Sequence, residues 1–200
     1  MEKKQLIISV GREFGSGGHV IAEELAKRFG IDMYDNDLLR HIALEKNGNL
    51  EAITKFDETP KSKLFSRTVR GFNNSPEDII SEMQFNFMKE KAENGKSFVI
   101  VGRCAETVLK GHPALVSIFI LGDESKKLER ISEKYGLSNK EAKLLMKTTD
   151  KKRKSYHNYH SDLHWGDSRL YEISINSSRL GISGTVDILE DYIKRRVESR

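Results

Sequence analysis

The stretch LIISVGREFGSGGHVIAEELA, Leu6 to Ala26, decides how the chain is read. Leu6-Ile7-Ile8-Ser9-Val10 is a short apolar run of the kind that forms a buried parallel strand. Gly11, Gly15, Gly17 and Gly18 follow. Val20, Ile21, Leu25 and Ala26 then fall close to a 3.6-residue period, with Glu23, Glu24, Lys27 and Arg28 outside the apolar stripe. A strand, a glycine-rich turn and a helix together aim backbone N–H groups and the positive helix end at an anion, most often a phosphate. Glycine leaves room there for close approach and adopts positive φ without strain.

The turn departs from the common phosphate-loop spacing of Gly, four residues, then Gly-Lys-Ser/Thr. Five residues separate Gly11 from Gly17, Gly18 stands where the Lys would be, and His19 and Val20 replace the small hydroxyl region. Taken alone, it fits a phosphate site or a structural strand-to-helix turn equally well. The rest of the chain has to decide.

A chain of 200 residues and 22.9 kDa is expected to form one domain over 1–200 with a sizeable core. Its 37% hydrophobic and 32% charged residues fit a globular protein and exclude a disordered one. No apolar run approaches the ~20 residues that span a bilayer. Met1 to Lys4 leads into a strand too short for a signal-peptide core. The single cysteine, Cys104, permits no internal disulfide and points to a cytoplasmic setting. The net charge of +4 is modest, but Lys140, Lys143, Lys147, Lys151, Lys152, Arg153 and Lys154 crowd one segment. A solvated helix face explains such a run more simply than binding to nucleic acid, a membrane surface or a polyphosphate does.

Along the chain, Phe29-Gly30 ends the first helix, 31–35 reads as a second strand and 37–46 as a second helix. Residues 47–74 are polar and irregular, an insert of short helices. Ser75-Pro76-Glu77-Asp78 starts a helix that runs to about Glu93. Strands follow at 97–101 and 114–121, charged helices at 124–135 and 138–152, a last strand at 172–176 and a last helix at 185–197. Strands alternating with helices at this spacing imply a parallel five-stranded sheet in a three-layer α/β/α fold. Ligands of such sheets bind at the carboxyl ends of the strands, which carry the glycine loop, Asp35, Arg103 and Asn176. Arg103 at a buried strand end needs an anion or a carboxylate partner, and its fork suits phosphate. His157, His160 and His164 with Asp162 form a weaker candidate metal cluster.

GREFGSGG (11–18), MYDNDLL (33–39), VIVGRC (99–104), DKKRKSYHNYH (150–160), WGD (165–167) and YEISINSSRLGISGTVDIL (171–189) together resemble the cytidylate kinase-like proteins. The resemblance covers nearly the whole chain. It implies a P-loop fold of the nucleoside monophosphate kinase type, with an acceptor-binding insert over 47–74 and a lid over 136–168. It implies transfer of the γ-phosphoryl group of ATP, with Mg²⁺, to a nucleoside monophosphate or a related small acceptor. By the same resemblance Gly11, Gly15, Ser16, Gly17, Gly18 and His19 would hold the donor nucleotide. Asp35, Arg40, Arg103 and Cys104 would hold the acceptor, with Cys104 standing where the family has an Asp that helps recognise the nucleoside. Arg153, Arg12 and Asp150 would serve catalysis: Asp150 and Arg153 match half of the lid's arginine motif, whose first Arg falls on Met146. Arg12 is a candidate for the charge of the missing lysine, and Ser16 or Asp35 for a ligand of the metal. Two alternatives remain: a nucleotide-binding regulatory protein without catalysis, favoured by Gly18 and Val20, and a kinase of another metabolite, favoured by Cys104.

Overall fold

The structure, a computed structural model, describes residues 4–35, 38–45, 68–69, 72–73 and 76–200. Its centre is a parallel sheet of five strands: β1 (Ile7–Arg12), β2 (Asp32–Tyr34), β5 (Phe98–Val101), β6 (Leu115–Leu121) and β7 (Ile173–Asn176). They lie in the order β2-β5-β1-β6-β7, so β1 is central and the order reverses on either side of it. Ile7 to Val10 pair with Phe98 to Val101 on one side and with Leu115 to Ile118 on the other. The five strands are those expected from their apolar runs.

The strands are apolar on both faces because both faces are covered. Ile8, Val10, Val99, Val101, Val116, Ile118 and Ile120 face one way. They meet Ile21 and Leu25 of α1 (Gly18–Phe29) and Val186, Leu189 and Ile193 of the last helix, α7 (Ser177–Glu198). The alternate residues Ile7, Phe98, Ile100 and Leu115 face Leu38, Leu39 and Ile42 of α2 (Leu38–Glu45) and Ile80, Phe87 and Met88 of α3 (Pro76–Glu93). Side chains of this size contribute roughly 1.5–3 kcal/mol each when fully buried, which is why the sheet fixes the fold.

Three further α-helices lie among the described residues: α4 (Ala105–Val108), α5 (Glu124–Tyr135) and α6 (Asn139–His160). Gly30 and Gly136 end α1 and α5 in the left-handed conformation, as their positions suggest. The helix expected over 138–152 continues to His160. It starts at a capping box, with Ser138 and Glu141 bonding each other's backbone N–H. Its far end is held by Tyr156, whose hydroxyl reaches Ser81 Oγ at 3.3 Å, and by His160 set edge-on against Phe85. The last helix is interrupted at Gly181, whose backbone is not helical (φ 70°, ψ −177°): a first turn starts at Ser177, and the piece beyond Gly181 contains the stretch expected at 185–197. Of the insert expected over 47–74, the antiparallel pair β3 (Thr68–Val69) and β4 (Phe72–Asn73) is described; the rest lies outside the described residues. No described helix is long and apolar enough to cross a membrane.

Candidate active site

The chain leaves β1 at Arg12 and enters α1 at Gly18 through a tight loop. Gly15 and Gly17 both have φ near 81°, and Gly17 caps the helix with no side chain bonded to it. No acid stands in the first turn, so the helix N-terminus stays open to an anion. Space reinforces conformation. A Cβ on Gly17 would lie 2.2 Å from Ile182 Cδ1, and one on Gly15 would lie 2.9 Å from the Lys127 carbonyl.

Neighbouring elements fix the loop from three sides. Glu13 accepts from Lys127 Nζ at 2.7 Å and from the Gly122 N–H at 3.2 Å. Arg130 donates to the Gly15 carbonyl at 3.3 Å, and Ser177 Oγ donates to the Ser16 carbonyl at 2.5 Å. From α6, Asp150 accepts from the Phe14 N–H at 2.7 Å, and Arg153 donates to the Arg12 carbonyl at 3.3 Å while covering the Phe14 ring. Burial raises the Asp150 carboxyl above its ordinary value, against the pull of the Phe14 N–H and of Arg153.

Two cavities flank β1. A cleft of about 730 Å³ is lined by Gly15, Gly17, Gly18 and His19 of the loop, by Asp35 and by Arg130. His19 Nδ1 lies 3.3 Å from Asp35 Oδ2, so two residues expected at separate subsites meet here. A second pocket of about 60 Å³ is lined by Gly11, Arg103, Cys104, Glu106, Lys152 and His157, among others. Arg12 and Arg153 line both.

The expected site residues sort as follows. Gly15, Gly17, Gly18 and His19 lie on the cleft. Gly11 does not: it lies in the strand, beneath Phe119 and Tyr171, and opens on the small pocket. Ser16 is fully buried and its hydroxyl donates to the Glu13 carbonyl at 2.8 Å. It shapes the loop from inside and offers the cleft no oxygen for a metal. Arg103 and Cys104 line the small pocket, both buried, whereas Asp35, at the end of the edge strand β2, lines the cleft. The Arg40 side chain lies outside the described residues. Asn176 caps α7, accepting from the Ser178 N–H at 2.9 Å, and donates to Asp123 at 2.8 Å. Met146 is buried with Ile131 and Ala142 against Phe14, which explains an apolar residue at that position.

The basic segment of α6 divides by face. Thr149, Lys152, Arg153, Tyr156 and His157, spaced as one helical stripe, line the small pocket. Lys140, Lys143, Lys147, Lys151 and Lys154 are exposed, and Lys143 pairs with Glu124 at 2.7 Å.

Sequence reasoning missed the partner of His157. His157 Nε2 lies 2.8 Å from Glu106 Oε1, and both side chains are buried. The expected grouping of His157, His160 and His164 is replaced by this pair, His160 being packed among Phe85, Tyr156 and Tyr159. Cys104, Glu106 and His157 do place three ligand-type atoms within 4.8 Å of one another. The 2.8 Å contact is a hydrogen bond, however, and Arg12, Arg103, Lys152 and Arg153 around the same pocket disfavour a cation. Burial and the Glu106 charge push the Cys104 thiol well above its ordinary range, opposite to what a thiolate ligand needs.

The sequence pattern of the cytidylate kinase-like family matches residues 7–179. A cytidylate kinase from Methanococcus vannielii is 26% identical over 196 residues, covering 94% of this chain and 100% of that protein. One from Pyrococcus horikoshii is 28% identical over 198 residues, covering 96% and 91%. The crystal structure of an uncharacterized protein from Eubacterium ventriosum superposes with a TM-score of 0.75 at 38% identity, covering 95% of this chain and 99% of that one. A shikimate kinase from Bacteroides thetaiotaomicron superposes with a TM-score of 0.55 at 14% identity, covering 94% and 98%, a likeness of fold. With a P-loop kinase fold and a family pattern that covers most of its length, the chain belongs to the cytidylate kinase-like family.

Proposed function

We propose that the protein transfers the γ-phosphoryl group of ATP to a small anionic acceptor. The observation that carries the proposal is that Arg12 and Arg153 line both cavities at once. A group passing from the cleft to the pocket would stay in contact with both guanidinium ions. Phosphoryl transfer asks for little else, since positioning and charge neutralisation supply nearly all of its catalysis. The cleft would take the triphosphate on the Gly15–His19 turn, and the pocket would take the acceptor's anionic group on Arg103 and Lys152. Mg²⁺ would arrive with the triphosphate. The side chains that usually serve give it no oxygen here, Ser16 being turned inward and Val20 apolar; of the cleft's two carboxylates Glu13 is tied to Lys127, which leaves Asp35 as the readier ligand. The relatives' names make a nucleoside monophosphate the first acceptor to test, and other small anionic metabolites the second.

A second reading has an observation of its own. With Gly18 in place of a lysine and Val20 in place of a hydroxyl, the fold would also serve a nucleotide-binding regulator without turnover. ADP release from MgATP against a panel of acceptors, with ATP binding followed by calorimetry, separates the two. Turnover on one acceptor supports the kinase. Binding of ATP with no turnover on any acceptor supports the regulator, and no binding refutes both.

A further inference from the structure

The small pocket contains a pair that transfer between two phosphates does not need. Glu106 stands one residue inside α4, just beyond the turn that carries Arg103. Its carboxylate receives His157 at 2.8 Å on one oxygen and the Ser9 hydroxyl at 3.4 Å on the other. A carboxylate accepts, so the proton of that contact belongs to His157 Nε2. In the tautomer that this contact selects, the lone pair sits on Nδ1, which is buried and has no hydrogen-bond partner among the described residues. A buried acceptor left unpaired costs on the order of 1–3 kcal/mol and calls for an explanation. An imidazole oriented by a carboxylate, with its other nitrogen unpaired, is the arrangement of a general base.

Resting on the phosphotransferase reading of this site, we infer that His157 accepts the proton of an acceptor hydroxyl, so that the acceptor is a small anionic alcohol rather than a nucleoside monophosphate. A monophosphate has its second pKa near 6 and is mostly dianionic near neutral pH, so its attacking oxygen has no proton to lose. An alcohol keeps its proton and must give it up as it is phosphorylated. In the step, the hydroxyl oxygen bonds to the γ-phosphorus and the bond from that phosphorus to the β-bridging oxygen breaks. Its electron pair leaves with ADP. The hydroxyl proton passes to His157 Nδ1, and the imidazolium is stabilised by the Glu106 carboxylate until it returns the proton to water. Arg103 and Lys152, on the same pocket, would hold the carboxylate or phosphate of the alcohol. The pocket's volume of about 60 Å³ suits a small body.

The experiment incubates the full chain with MgATP and, separately, hydroxycarboxylic acids, sugar phosphates and nucleoside monophosphates, with products read by phosphorus NMR. An ester and an anhydride give distinct signals, so bond type and acceptor are read together. The expected result is a phosphate ester from a member of the alcohol panel. His157→Gln keeps an N–H for Glu106 and removes the base. It should lower kcat on that alcohol by about 10²–10⁴-fold, with the KM for ATP changing little. His157 as a purely structural link between α4 and α6 would leave kcat intact in this variant, which overturns the inference. An anhydride formed from a nucleoside monophosphate, more efficiently than any ester, overturns it as well and leaves the phosphotransferase reading standing. Transfer to no acceptor overturns both.

Discussion

Gly18 is a glycine for want of space. It stands in the first turn of α1 with ordinary helical φ, so its backbone would accept any residue. A Cβ there would lie 2.5 Å from Arg12 Cβ and 3.0 Å from Arg12 Cγ. The nearer of these is rooted in the strand and cannot swing aside. Overpacking of this kind costs roughly 1–3 kcal/mol, partly offset in Gly18→Ala by up to about 1 kcal/mol of helix propensity. A double-mutant cycle removes the propensity. Gly18→Ala is made in the natural chain and again beside Arg12→Gly, which deletes the obstructing Cβ. The coupling should be about 1–3 kcal/mol, a difference on the order of 2–12 °C in the melting shift for a chain of this size. Arg12→Ala is the control: it keeps the Cβ and should give no relief. The cycle also bears on the missing lysine, since Gly18→Lys can only be accommodated once Arg12 is cut back. If Arg12 carries the lysine's charge, Arg12→Gly should lower turnover about 10²–10³-fold, and Arg12→Gly with Gly18→Lys should recover part of it. Melting shifts that add to within about 0.5 kcal/mol would refute the steric argument. Turnover unaffected by Arg12→Gly would refute the electrostatic one.

Three further outcomes are expected. Burial raises the Asp150 carboxyl above its ordinary 3.8, so its ionised form is less favourable folded than unfolded. Its contribution to stability is therefore greatest below 3.8 and falls as pH rises through the folded value. Asp150→Asn keeps an acceptor for the Phe14 N–H, and its melting temperature relative to the natural protein should climb across that window. A relative melting temperature that declines with pH would contradict the assignment. Cys104, buried beside Glu106, should react with an aromatic disulfide at pH 8 on the order of 10²-fold more slowly folded than unfolded; equal rates would show that the thiol is reachable. Arg153→Ala should lower kcat by about 10²–10³-fold and affect ATP binding, measured by calorimetry, far less. An unchanged rate would remove Arg153 from the chemistry.

The sheet was legible because burial on both faces leaves continuous apolar runs such as Phe98–Val101 and Leu115–Leu121, which no described helix imitates. The glycine stops at Gly30 and Gly136 were legible for a local reason, the left-handed turn each supplies. The extension of α6 to His160 was not. Residues 153–160 are polar and carry no apolar stripe, and what holds them is distant: Ser81 and Phe85 of α3, and the Arg12 carbonyl. The site divides in the same way. Glycine spacing and Arg103 at a strand end marked the two stretches that line the cleft and the small pocket. Glu13 with Lys127 is 114 residues apart in sequence and Glu106 with His157 is 51, so neither pair leaves a trace in local pattern. The stripe from Thr149 to His157 was the one signal that could have placed His157 beside Arg153, because four residues on a helix put two side chains on one face.

The turn after β5 joins these features. Gly102, Arg103 and Cys104 have φ of 76°, 60° and 53°, three left-handed residues in succession. For Arg103 and Cys104 that conformation costs roughly 1–2 kcal/mol each, and such residues persist only where their surroundings over-determine them. Here the Gly102 N–H is bonded to the Val10 carbonyl at 3.0 Å, the Ala105 N–H to the Gly102 carbonyl at 3.3 Å, and Arg103 and Cys104 are both buried. The Arg12 guanidinium lies so close that a Cβ on Gly102 would come within 2.2 Å of its Nη1. A relaxed turn would carry Arg103 away from the pocket and shift the start of α4, taking Glu106 from His157. One strained turn therefore sets the cation that would hold an acceptor and the carboxylate that would orient its base. Two arginines rooted at adjacent strand ends, Arg12 and Arg103, stand where the loop supplies no lysine, and the sheet fixes them more firmly than a loop would.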